Sequence, residues 1–161
     1  MNAFEVRLAD FSREIDAKAL IQLMQAYATD PMGGGQPIAD LLLKELPEKL
    51  KHYPTAFSVI AWQGDKAVGL INCFETLSTF KVKPLINIHD VVVAKDYRGQ
   101  EISVRMMERV EQEARARGCC KLTLEVLEGN QRAQQVYREF GFSGYELDEK
   151  FGQAMFWEKA L

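Results

Sequence analysis

The stretch LINIHDVVV (residues 85–93) carries His89 and Asp90 side by side, and the chain then reaches Arg98 and Gly99 at the head of RGQEIS. An imidazole titrates near neutrality, so His89 can take a proton directly or through water. The carboxylate beside it can share that work or hold a cation. The corner at 98–103 offers a second kind of chemistry. A strand that turns into a helix leaves backbone N–H groups unpaired at the helix N-terminus, where a partial positive charge suits phosphates. Glu101 sits badly with that use. Glycine lets a backbone approach a ligand closely, and any Cβ pushes back. A carboxylate about 5 Å from one phosphate charge costs roughly 3 kcal/mol at an effective dielectric near 20. That is on the order of 100-fold in affinity before screening. Arg105, four residues on, is placed to pair with Glu101 and swing it outward.

These groups need a strand, a corner and a helix to hold them, and the hydrophobic pattern supplies all three. Residues 85–93 read as a mostly buried strand. Residues 102–117 read as a helix with Ile102, Met106, Val110 and Ala114 as its inward stripe, ended by Arg117 and Gly118. Upstream, 4–8 alternates as an opening strand. Residues 12–28 place Ile15, Ala19, Leu20, Leu23, Met24 and Tyr27 at helical spacing behind Ser12 as N-cap. Two prolines and three consecutive glycines make TDPMGGGQP (29–37) a loop, suited to a mobile lid or to a plain connector. A second helix over 38–51 would bury Leu41, Leu42, Leu46 and Leu50. Residues 56–62 and 67–74 are strands joined by a tight Gly-Asp turn. A strand at 120–127, a helix at 130–140 opened by Asn130, and closing strands at 141–147 and 154–161 complete the chain. The order is β-α-α-β-β-β-α-β-α-β-β. It implies an α/β (α+β) fold, a mixed central β-sheet flanked by helices, with a crossover that forces one parallel pairing.

At 161 residues, 47% apolar and 27% charged, the chain suits one domain over 1–161 with a real core. A net charge of -3 leaves no basic footprint, which argues against nucleic acid as a partner. No stretch approaches the roughly 18 apolar residues of a membrane span, and the acidic N-terminal stretch does not resemble a signal peptide. A cytoplasmic protein is expected. Cys73, Cys119 and Cys120 form neither a disulfide framework nor a metal-ligand spacing, so no metal is expected. If Cys119 and Cys120 lie on a strand they point to opposite faces.

A second motif changes the weight of the first. NQRAQQVYREFGF (130–142) sets an Asn, an Ala three later, a Tyr four beyond that, then Gly-Phe. Together with IHDVVVAKDYRG this resembles the GNAT superfamily of acyl-CoA-dependent N-acetyltransferases, in motif detail over roughly 56–147. In that family the corner reads Arg/Gln-x-x-Gly-x-Gly/Ala, and its amides hold the pyrophosphate of acetyl-CoA. Arg98 matches; Glu101 stands for the Gly and Ser103 for the Gly/Ala. The resemblance therefore assigns Arg98, Gly99, Gln100, Glu101, Ile102 and Ser103 to a cradle that is real but weakened. It places carbonyl-polarising N–H groups at Val91, Val92 and Val93, where the family's strand bulges. Asn130 caps its helix near the pantetheine arm. Tyr137 is the proton donor to the departing thiolate, a role open to a phenol with pKa near 10. His89, where polyamine-acetylating relatives often carry Glu, accepts the amine's proton, or Asp90 holds the cationic acceptor.

The implied activity is N-acetyl transfer from acetyl-CoA to a primary amine. Asp30, Glu75 and Asp90 form an acidic rim that favours a small amine, diamine or amino-acid derivative. Family habit implies a homodimer through the closing strands. The rival reading, given the altered cradle, is a non-catalytic acyl-CoA-binding or sensing domain on the same fold.

Overall fold

A computed structural model describes residues 4–146 and 148–161. Its compact units are two, residues 1–124 and 125–161. The first holds a five-stranded mixed sheet in the order β1 (Glu5–Leu8), β2 (Ala56–Gln63), β3 (Lys66–Ser78), β4 (Lys83–Val93) and β5 (Leu122–Leu124). The first four pair antiparallel and β5 joins β4 in parallel. That parallel pair follows from the crossover helix between them, because a hairpin cannot join parallel strands.

Helix α1 (Glu14–Thr29) and helix α3 (Ile102–Ala116) cover opposite faces of the sheet. Neighbouring residues of β3 establish this, since successive side chains on a strand point to opposite sides. A Cβ on Gly69 would meet Met106 and Ile102 of α3. Leu70 instead joins Leu20 and Leu23 of α1 in one buried cluster with Ile60, Trp62 and Val92. The α3 stripe is buried as its spacing requires, with Met107 added to it. Helix α1 begins slightly later than its periodicity suggests, its N-cap one residue on. Arg13, not Ser12, is the N-cap, because Ser12 is taken up by the Asp10 carboxylate. Its first turn also buries Asp16, which accepts both prongs of the Arg7 fork from β1 at 2.7 and 2.6 Å.

Helix α2 (Asp40–His52) keeps Leu46 and Leu50 of the four expected residues on its inner side but turns the other two outward. Leu43 and Pro47 are buried, whereas Leu41 and Leu42 are 68% and 61% exposed. Starting at Asp40 aligns Leu43, Leu46, Pro47 and Leu50 on one side, and the run of three leucines hid that register. Beyond residue 124, helix α4 (Gln131–Phe140) is the long element of the second unit. The expected closing strands do not form among the described residues. Residues 146 and 153 make one isolated bridge and a 3₁₀ turn spans Glu149–Phe151, while Leu147 lies outside the described residues. Met155, Phe156 and Trp157 run consecutively instead of alternating, so no single face can be buried by a strand there.

Candidate active site

The site is built on an irregularity in β4. Cys73 pairs with Ile88 but Asn72 pairs with Asp90, so His89 is one extra residue in the ladder. A bulge of this kind re-aims side chains and changes which way the backbone points. Phe74 and Asn72 lie two apart on β3 and so share a face. The His89 ring meets Phe74 edge-on at 5.3 Å, and Asp90 accepts from Asn72, which puts both neighbours on that same face. Tyr53 extends the aromatic line, 5.5 Å from Phe74.

The backbone reverses with it. Before the bulge the Ile86 amide donates to Lys121 on the β5 side, at 3.2 Å. After it the Ala94 amide donates to Val68 on the β3 side, at 2.9 Å. Alternation then turns the N–H groups of Val91 and Val93 toward the β5 side. There the β5 pairing has already ended, at Ile88–Leu124. Two donors thus face away from β3, with no strand paired to them among the described residues. Val92 is different: its N–H faces β3 and its side chain is core. The bulge expected across 91–93 lies at His89, and of the three valines only Val91 and Val93 present outward amides.

The acidic rim also needs correcting. Glu75 pairs with Arg117 at the end of α3, at 3.1 Å, on the face opposite Asp90. Asp30 pairs with Arg98 at 2.8 Å and accepts the Met32 amide, and the Arg98 hydrogen bond holds its carboxyl below the usual range. Among the described residues no Lys or Arg pairs with Asp90. Its partner is the Asn72 amide, 3.0 Å away. Asn72 is itself buried and accepts from the Ser58 hydroxyl at 2.7 Å. Half-buried Tyr27 borders the same ground. Burial, then the charges of Asp90 and Asp30, push its phenol up. The loop after α1 is folded down onto Tyr27 as a 3₁₀ turn, Pro31–Gly33, not left as a free connector. A Cβ on Gly33 would stand 1.9 Å from the Tyr27 carbonyl oxygen, so this contact tolerates only glycine.

At the corner, Glu101 adopts the left-handed conformation, φ 59° and ψ 15°, that its family position gives to glycine. It is the N-cap of α3 and makes no side-chain capping bond, so the first-turn amides of Ile102 and Ser103 keep no partner from it. The expected ion pair with Arg105 is absent among the described residues; Arg105 instead donates its backbone N–H to the Glu101 carbonyl at 3.1 Å. A left-handed cap does not aim its Cβ along the helix, so the four-residue spacing does not bring the two side chains together. Ser103 is partly exposed and Ile102 is core. Arg98 is held by Asp30 and by the Val93 carbonyl, at 3.1 Å from its Nε.

Within the second unit, Asn130 caps α4 by accepting the Ala133 amide at 3.2 Å, as expected. Tyr137 is half-buried, its ring 6.0 Å from Phe142. Burial pushes the Cys73 and Cys119 thiols up, away from the thiolate form that a nucleophile uses. Cys119 and Cys120 precede β5 and so are not a strand pair. No cluster of three or more His, Cys, Asp or Glu that could hold a metal occurs among the described residues. A shallow depression lined by Ile15, Lys18, Gln22, Trp62 and Lys66 shares no residue with the His89–Asp90 group.

Ser58, Asn72 and Tyr27 were not singled out by their sequence context. The first two had a signal, each being a lone polar residue inside an apolar strand; Tyr27 read as one more member of a helix stripe. A bulged fourth strand, a parallel partner strand that stops short of its end and a glycine-like turn into a helix are features that a comparison can test. The acetyltransferase (GNAT) family profile matches residues 18–142. The chain is similar to thialysine N-epsilon-acetyltransferase of Bos taurus, 35% identical over 79 residues, 49% of this chain and 46% of that protein. The Mus musculus protein of the same name is 30% identical over 94 residues, 58% and 54% of the two chains. The chain thus spans about half the length of the curated relatives it matches. In fold it is similar to an aminoglycoside acetyltransferase from an uncultured soil metagenomic sample, solved with sisomicin. There the TM-score is 0.79 and the identity 18%, over 98% of this chain and 96% of that one. An aminoglycoside N-acetyltransferase solved in complex with CoA gives a TM-score of 0.75 at 14% identity, over 99% and 96%. Sequence and fold agree: the chain belongs to the GNAT acetyltransferase family.

Proposed function

We propose that this protein transfers the acetyl group of acetyl-CoA to the primary amine of a small cationic acceptor. The observation that carries this reading is the bulge at His89. It sets an imidazole and a carboxylate that pairs with no Lys or Arg among the described residues on one face, while turning the Val91 and Val93 amides toward the side of β4 that β5 no longer covers. Donors held toward the place where charge develops on a carbonyl oxygen are worth several kcal/mol in acyl transfer. The residues also fit the coenzyme: the turn at Glu101 already has a glycine-like backbone, and the α3 amides it leaves uncapped suit a diphosphate. Acetyl-CoA supplies the activated thioester.

The steps follow from the chemistry of amines. Asp90 holds the acceptor as an ammonium ion, His89 takes its proton, and the free nitrogen attacks the thioester carbonyl carbon. The C–S bond then breaks, the thiolate takes a proton from a phenol, and the second proton that the new amide nitrogen sheds returns through solvent to the phenolate. Tyr137 carries that role on the family motif alone. The thialysine N-epsilon-acetyltransferases among the relatives favour a small amine, diamine or amino-acid derivative as acceptor. A homodimer and a cytoplasmic location belong to the same reading.

A second reading has an observation of its own. Glu101 places a carboxylate in the turn that would hold a diphosphate, which favours an acyl-CoA-binding or sensing domain without turnover. Free thiol release with a panel of mono- and diamines decides between them. Acetylation of at least one small amine, slowed tenfold or more by Tyr137→Phe, supports the enzyme. Protection of the fold against heat by acetyl-CoA with no thiol released from any amine supports the sensor.

A further inference from the structure

Three polar residues stand in one row across the sheet on the face that carries His89. Ser58 of β2 lies directly opposite Asn72 of β3, and Asn72 directly opposite Asp90 of β4. Ser58 and Asn72 are 2% and 3% exposed. The row has a direction. The Ser58 hydroxyl donates to Asn72 Oδ1 at 2.7 Å, so the amide turns its Nδ2 to Asp90 Oδ2, 3.0 Å away. Nδ2 also approaches the Met24 sulfur at 3.3 Å, a weak acceptor that leaves Asp90 as its main partner. A carboxylate only accepts, so an amide turned the other way would repel it.

Two buried polar side chains cost desolvation, and apolar residues of the same shape would fill the space at no loss. The row returns one thing for that cost: a carboxylate fixed in one orientation at the bulge, with no Lys or Arg paired to it among the described residues. We infer that Asn72, oriented by Ser58, is a positioning residue that holds the Asp90 carboxylate as the ammonium subsite for the acceptor amine. This rests on the amine-acetylation reading above. It adds that a donor row set into the sheet two strands away fixes how well the acceptor is held.

The test uses the full chain. Asn72→Leu, close in shape, should raise the amine KM about tenfold while leaving the acetyl-CoA KM where it is, since a hydrogen bond to a charged group is lost at one substrate only. Ser58→Ala should raise it less, and Ser58→Thr, which keeps the hydroxyl, should restore it. In an Asp90→Asn background Asn72→Leu should add nothing. An unchanged amine KM in Asn72→Leu, or an effect of equal size with and without Asp90, would overturn the inference. A merely structural role would raise both KM values together with a fall in melting temperature. A second readout is independent of turnover: 1,4-diaminobutane should move the Asn72 side-chain amide NMR signal in the wild type and not in Asp90→Asn. If that shift is seen with no acetylation of any amine, the catalytic reading fails and the subsite stands. If acetylation occurs while the signal stays still, the subsite fails alone.

Discussion

Glu101 shows how a single backbone conformation can be read two ways. A non-glycine residue at φ 59° pays roughly 1–2 kcal/mol for the left-handed region. Replacing it by glycine removes that strain and costs about 0.5–1 kcal/mol of chain entropy. Glu101→Gly should therefore leave the melting temperature level or raise it slightly. The same change removes a carboxylate from the proposed diphosphate turn, so calorimetry should find acetyl-CoA bound more tightly, by up to about 100-fold before screening. Equal dissociation constants would mean that the carboxylate points away and that the weakened-cradle reading is wrong. The corner itself was legible in RGQEIS, because a strand-to-helix turn with Arg98 leaves a pattern in residue types. The missing Glu101–Arg105 pair was not. Spacing of four residues implies contact only when both lie in the helix, and dihedral angles are not written in the sequence.

Elements were legible where periodicity was clean. Helix α3 shows four inward positions spaced by four, and all are buried. Helix α2 misled because three consecutive leucines fit several registers, and only its starting residue selects Leu43. The bulge in β4 was expected from the resemblance alone and a few residues too late, since an extra residue changes pairing without disturbing the hydrophobic run. The tie between β1 and α1 was missed too, although Arg7 and Asp16 stand in plain view. Asp16 is fully buried, which pushes its carboxyl up, but the Arg7 fork and the Asp10 amide outweigh burial and hold it below its usual value of 3.8. A carboxyl depressed in the fold adds stability at and above that usual value, and loses it as pH falls through the lowered one. Asp16→Asn should cost about 2–3 kcal/mol near neutral pH, discounted because Arg7 is partly exposed. That is a loss of roughly 4–12 °C in melting temperature for a chain of this size. The gap between variant and wild type should stay constant down to about pH 4 and then close. A gap that persists in strong acid would assign the stability to packing instead of charge.

At the scale of the molecule, the order of strands and helices through residue 140 and the mixed sheet were both readable, because each strand had a neighbour to bury its apolar face. The closing segment failed that test. A strand needs a partner edge as well as β-forming residues. Among the described residues, 154–161 have no strand pairing and one backbone hydrogen bond outside the regular elements, from the Ala154 N–H to the Tyr145 carbonyl at 3.1 Å. What remains is a run of large apolar side chains turned to water: Phe151, Met155, Phe156 and Trp157 are each more than 70% exposed. Exposed apolar runs with aromatic residues mark association surfaces more often than free ones. The proposed homodimer can therefore be read through tryptophan. The chain has two: Trp62 is 4% exposed and Trp157 is 79% exposed. In a dimer closed by this segment, Trp157 leaves water while Trp62 is already in the core. Dilution should then shift emission to the red as the mass falls from twice 18.3 kDa to the single chain. Trp157→Lys should sediment as the single chain throughout and keep the emission of the core indole alone. A wild type that sediments as one chain at every concentration, with one emission contribution always that of a hydrated indole, would remove the dimer. The apolar run would then need a different partner.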